Sequence, residues 1–108
     1  MANLAVGRWL AFYQGDWTRA LPHLAAGSNA KLKQLAELEL AEPTTDEELT
    51  QLGDGWWQQA ATLSGPAQYH LRERAVFWYR RLLVTATEDL RKRLEERIEQ
   101  FDEQEASR

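Results

Sequence analysis

The chain contains no cysteine. Disulfides, thiolate nucleophiles and cysteine-based zinc sites are thereby excluded. Histidine is almost as scarce, with only His23 and His70. A zinc site needs three or four ligands, so these two cannot build one alone. No apolar run approaches the roughly 18 residues of a membrane span. The opening MANLAVGRWLAF is short and has no basic leading region, so it does not read as a signal peptide. No stretch alternates apolar and polar residues over a useful length, so no sheet is expected. Excess positive charge is lacking too: the net charge of −4 argues against nucleic acid as the main partner.

What is present is 44% apolar and 28% charged over 108 residues, the make-up of a globular domain rather than a disordered chain. The length suits one domain with a small core. Five tryptophans in so short a chain belong in that core or in a groove.

The stretch Gly65 to Leu83 organises the rest. Leu71, Ala75, Trp78, Tyr79 and Leu82 fall on one stripe of a 3.6-residue helix. Val76, Phe77 and Leu83 widen that apolar surface, so this helix needs neighbours on more than one side. The remaining segments supply them. A first helix is expected over 3–14, with Leu4, Trp9, Leu10, Phe12 and Tyr13 as its apolar positions. Gly15 suits a left-handed stop and Asp16 an N-cap. A second helix follows over about 17–26, shortened or kinked by Pro22. Ser28 is read as the cap of a third helix over about 29–42, with Leu32, Leu35, Ala36, Leu38 and Leu40 inward. Thr45 and Glu48 have the form of a capping box for a fourth. Its Leu49, Leu52, Trp56, Ala60 and Leu63 are at helical spacing, and Gly53 and Gly55 mark close approach by a neighbour. Pro66 suits the first turn of the Gly65 helix. Thr87 caps a last helix over about 88–102, with a narrow stripe of Leu90, Leu94, Ile98 and Phe101. Its charged faces carry i,i+4 pairs such as Glu88–Lys92 and Arg91–Glu95. Residues 103–108 are expected to fray.

Two segments echo each other. Gly7 to Leu24 and Gly53 to Tyr79 both run from a small residue through an aromatic and a turn to an alanine with an apolar residue four later. Ala20 and Leu24 in the first match Ala75 and Tyr79 in the second. With Gly15-Asp16-Trp17 at the turn, and Leu52-Gly53 and Trp56 in the second unit, the pattern resembles the tetratricopeptide (TPR) and Sel1-like helical repeats. Gly7 stands one residue out of register with that pattern, and Pro22 departs from it. The runs GDWTRALPHLAAGSNAKLKQLAELEL and ERAVFWYRRLL are also similar to a small uncharacterised helical module of large bacterial multidomain proteins. The resemblance spans about residues 3–100. It implies an all-α, five-helix TPR-like stack of antiparallel hairpins. Its parts are a repeat-like unit at 3–26, a connecting helix at 29–42, a second unit at 45–83 and a capping helix at 88–102. It implies partner binding without catalytic residues.

The residues themselves offer little chemistry. His70 and Glu73 share one helical turn but lack further ligands. Ser28-Asn29-Ala30-Lys31 matches S-x-x-K with no companion motif. Gly53-Asp54-Gly55 is not followed by the Lys-Ser/Thr of a phosphate loop. The acids at 37, 39, 42 and 46–48 are read as exposed helix faces rather than a calcium loop. No catalytic residue, metal or cofactor is assigned, and the chain is not expected to be an enzyme.

Trp9, Trp17, Trp56 and Trp78 fit inward positions. Trp57 follows Trp56 directly and therefore points about 100° away. By the repeat resemblance, the first helix of each unit lines a concave groove. That places Arg8 and Phe12 there in the first unit, and Thr50, Asp54, Trp57 and Gln58 in the second. An exposed tryptophan beside polar groups has the form of a binding hot spot. The other reading packs Trp57 against the helix at 29–42. The expected function is a protein–protein interaction or scaffold module that lays a peptide or helix in a groove. A spacer between larger domains, carbohydrate contact through Trp57, and self-association through exposed Trp or Phe77 are the other options. No nucleic acid or membrane partner is expected.

Overall fold

The computed structural model describes residues 2–107, and every regular element in them is helical. Six α-helices follow in order: α1 (Ala2–Arg8), α2 (Trp17–Ala25), α3 (Ala30–Leu40), α4 (Asp46–Ala60), α5 (Gly65–Leu82) and α6 (Glu88–Ala106). The count of five is therefore one short. The expected first helix is α1 running on into a π-helical turn, Trp9–Tyr13. No strand occurs among the described residues.

Local chemistry sets the boundaries. Gly15 takes φ +65°, a left-handed conformation that ends the first segment. The Asp16 side chain then accepts from the Arg19 N–H at 3.3 Å and opens α2. Thr45 and Glu48 form the full capping box at the start of α4. Thr87 caps α6 through the Leu90 N–H. Asn29, not Ser28, caps α3: its side chain accepts from the Leu32 N–H at 3.0 Å. α3 begins one residue later than expected, which hands the capping position on by one. α4 runs unbroken through Gly53 and Gly55.

α5 is the centre of the packing. α4 lies along most of its length, and the π-helical turn and α6 pack against it as well. Leu71, Ala75, Trp78, Tyr79 and Leu82 are all buried, as their stripe requires. They meet Leu52, Trp56 and Ala60 of α4 and Trp17, Ala20 and Leu24 of α2 in one cluster. Trp17 and Trp56 pack edge to face, 4.9 Å between centroids. Burying a large apolar side chain of this kind contributes roughly 2–3 kcal/mol, which makes the seam the main source of cohesion.

Three expectations about the surface fail. Trp9 is 55% exposed rather than inward. It directly precedes buried Leu10 and so points to a different face, and Tyr13 at the other end of the π-helical turn is 57% exposed as well. Leu40 is also exposed, because Glu39 takes the inward position one residue earlier. Residues 103–106 are helical rather than frayed. Arg72 donates to Gln104 Oε1 at 3.1 Å and ties that last stretch to α5. Arg108 lies outside the described residues.

Candidate functional site

Two charged clusters link the helices. In the first, Glu39 is a buried carboxylate on the inner stripe of α3, after Leu32, Leu35 and Ala36. Trp56 Nε1–H donates to its Oε2 at 2.8 Å, and Arg74 Nε donates to both carboxylate oxygens at 3.1 Å. The Arg74 guanidinium also lies over the rings of Trp17, Phe77 and Trp78. Its charge is thus matched by one carboxylate and three π faces. Glu39 had been read as part of an exposed acidic face. The signal against that reading was its place at i+7 from Leu32.

The second cluster centres on Asp54. Tyr79 donates its hydroxyl to Asp54 Oδ1 at 2.8 Å, and Arg93 and Arg97 each donate to the same oxygen at 2.9 Å. Arg97 also donates to the Tyr79 hydroxyl. Burial raises the Tyr79 pKa well above its ordinary value, and the hydrogen bond and charge of Asp54 raise it further against the opposing pull of Arg97. The hydrogen bond to Asp54 also raises the pKa of Arg93. The sequence reading puts Arg93 on a solvated face of the last helix; instead Arg93 and Arg97 reach across to α4 and hold α6 in place.

Trp57 belongs to this second cluster. Its ring is half-buried, 6.2 Å from that of Tyr79, with the guanidinium groups of Arg72 and Arg97 over it at 4.9 and 5.5 Å. It faces α5 and α6 and lines neither of the clefts that hold its predicted companions.

The other five predicted residues line two clefts. Thr50, Asp54 and Gln58 face Lys31, Gln34, Leu35 and Leu38 across a cleft of about 240 Å³. Arg8 and Phe12 line a second of about 280 Å³ with Tyr13, Leu32, Gln59 and Thr62. Both are walled by α3 and by α4 or the turn just after it, and the adjacent Gln58 and Gln59 divide them. Asp54 spans two roles, lining the first cleft while its Oδ1 is bound by α6.

Among the described residues, no three His, Asp or Glu side chains converge as metal ligands. His70 Nδ1 lies 3.6 Å from Glu73 Oε1, beyond hydrogen-bond reach. Among the described residues, no helix is long and apolar enough to cross a membrane.

The fold and its clefts define an all-helical domain with one buried and one half-buried charge cluster. Comparison with protein-family models, with curated proteins and with solved structures finds no match.

Proposed function

We propose that the chain is a non-catalytic binding module, a TPR-like stack that takes a peptide or helix in the clefts walled by α3 and α4. The observation that carries this is the joint placement of Arg8, Phe12, Thr50, Asp54 and Gln58 along those two clefts. The repeat reading has support of its own. Gly7 packs against Leu24, and Gly53 packs against Tyr79. In each unit the small residue of the first helix meets the residue four after the alanine of the second. The buried Glu39 and the half-buried Asp54 are engaged in holding helices together, which favours recognition over catalysis.

The test is peptide selection against the full chain, followed by affinity measurement with Gln58→Trp and Arg8→Glu. Each should weaken selected peptides by about tenfold or more, with the thermal melt unchanged. Recovery of no peptide, or affinity unaffected by both substitutions, overturns the reading. One observation favours a ligand-free spacer as the second reading: each cleft falls below the roughly 300 Å³ at which small-molecule pockets begin.

A further inference from the structure

A third surface lies apart from those clefts and shares no residue with them. α5 and α6 flank a groove of about 580 Å³ whose floor includes Val76, Phe77 and Phe101. Phe77 is 45% exposed near the middle of it, and Val84 is 82% exposed at one end. The Phe77 ring is held rather than loose. The Arg74 guanidinium lies 4.5 Å over it, and Trp78 meets it edge to face at 5.0 Å. An apolar ring so fixed is prepared for contact.

The groove is also polar end to end. Glu73 and Glu105 mark one end, and Arg81 marks the other beside Arg80, which is paired with Asp102 at 3.2 Å. Glu73, Phe77 and Arg81 stand at i, i+4 and i+8 on α5, so the acid and the base lie about 6 Å to either side of the ring along the helix. A complementary helix must therefore carry a central apolar residue, a base four positions to one side and an acid four positions to the other. α5 meets that description when turned end for end.

We infer that two copies of this chain pair through this groove, α5 against α5 in antiparallel register about Phe77. A two-fold axis through Phe77 sets ring against ring, Glu73 against the second copy's arginine at 81, and Arg81 against its acid at 73. This is the isologous form of a symmetric dimer, in which one patch serves both sides. The parallel arrangement sets acid on acid and base on base, and so is disfavoured. A single helical stripe is a small interface, so the pairing is weak and concentration-dependent.

Analytical ultracentrifugation of the full chain tests it over a range of about 10 μM to 1 mM, where small interfaces associate. The parent should pass from monomer towards dimer. Phe77→Ser, Glu73→Lys and Arg81→Glu should each weaken dimerisation by about tenfold or more. Glu73→Lys with Arg81→Glu, which restores opposite charges across the axis, should recover it. Circular dichroism checks that each variant is folded. Should Phe77→Ser not fold, the exposed charge pair alone decides. A parent that stays monomeric throughout overturns the inference. So does a dimer that survives Phe77→Ser, or a double reversal no better than the single ones.

Discussion

The Cβ that Gly53 lacks would lie 2.3 Å from Cε1 of Tyr79. No real side chain tolerates that distance, and the Tyr79 ring is buried and hydrogen-bonded to Asp54. Gly53→Ala should therefore destabilise the domain by about 1–3 kcal/mol through overpacking, although alanine is the better helix former by about 1 kcal/mol. Gly55→Ala is the control. Its Cβ would meet the flexible end of Leu35, so the loss should be smaller. Urea unfolding of both variants gives the comparison.

The pair Glu39–Arg74 should behave as a buried ion pair. Glu39→Gln leaves Arg74 without its countercharge and the Trp56 N–H with a weaker acceptor. We expect a loss of about 2–4 kcal/mol, towards the lower part of the range for broken buried pairs because Arg74 keeps some exposure. Glu39→Leu with Arg74→Met removes both charges. It should be more stable than either single substitution, which denaturant melts of all four proteins would show as a coupled cycle. A double variant as unstable as the sum of the singles would falsify the pairing.

Tyr79 should make stability fall at alkaline pH. Its folded pKa is raised above the ordinary value of 10.0, so the fold favours the neutral phenol. The contribution is complete below that ordinary value and is lost as pH rises through the folded one. Tyr79→Phe should flatten this alkaline limb. Tyrosinate absorbance should also show the late-titrating signal of Tyr79 in the parent lost in the variant.

The tryptophans divide by burial. Trp78 is 4% exposed, and Trp78→Ala should cost roughly 3–5 kcal/mol and unfold the domain at ordinary temperatures. Trp57→Ala should cost about 1–2 kcal/mol, because only part of a large side chain is removed from packing. The folded variant should keep the affinity of any peptide seated between α3 and α4. Calorimetry and peptide titration measure the two effects.

Much of the fold was legible from periodicity and punctuation. The stripe of α5, the capping box at Thr45, the left-handed Gly15 and the proline at the start of α5 each have local causes, and local causes are visible in a chain. The partners of charged groups were not. Arg93 had Asp89 four residues away on its own helix, so a solvated face was the simplest reading, while Arg97 has Arg93 and Phe101 at that spacing. Their bonds to Asp54 depend on where α6 docks. Trp57 was misplaced for the same reason: its direction from Trp56 was readable, but the helices on that side were not. Arg8, Thr50, Asp54 and Gln58 line clefts because they follow from the outward faces of α1 and α4, while Phe12 lines its cleft as a core side chain, 7% exposed.

The π-helical turn at Trp9–Tyr13 gives the one-residue offset of Gly7 a structural counterpart. Gln14 N–H bonds the Trp9 carbonyl and Asp16 N–H bonds the Leu10 carbonyl, so the winding there is loose enough to hold a surplus residue. A wide turn takes up that residue without changing the helical phase on either side, so Gly7 still meets Leu24. The first helical segment thereby keeps its seat on α2 although its chain carries one residue more than a regular helix would use.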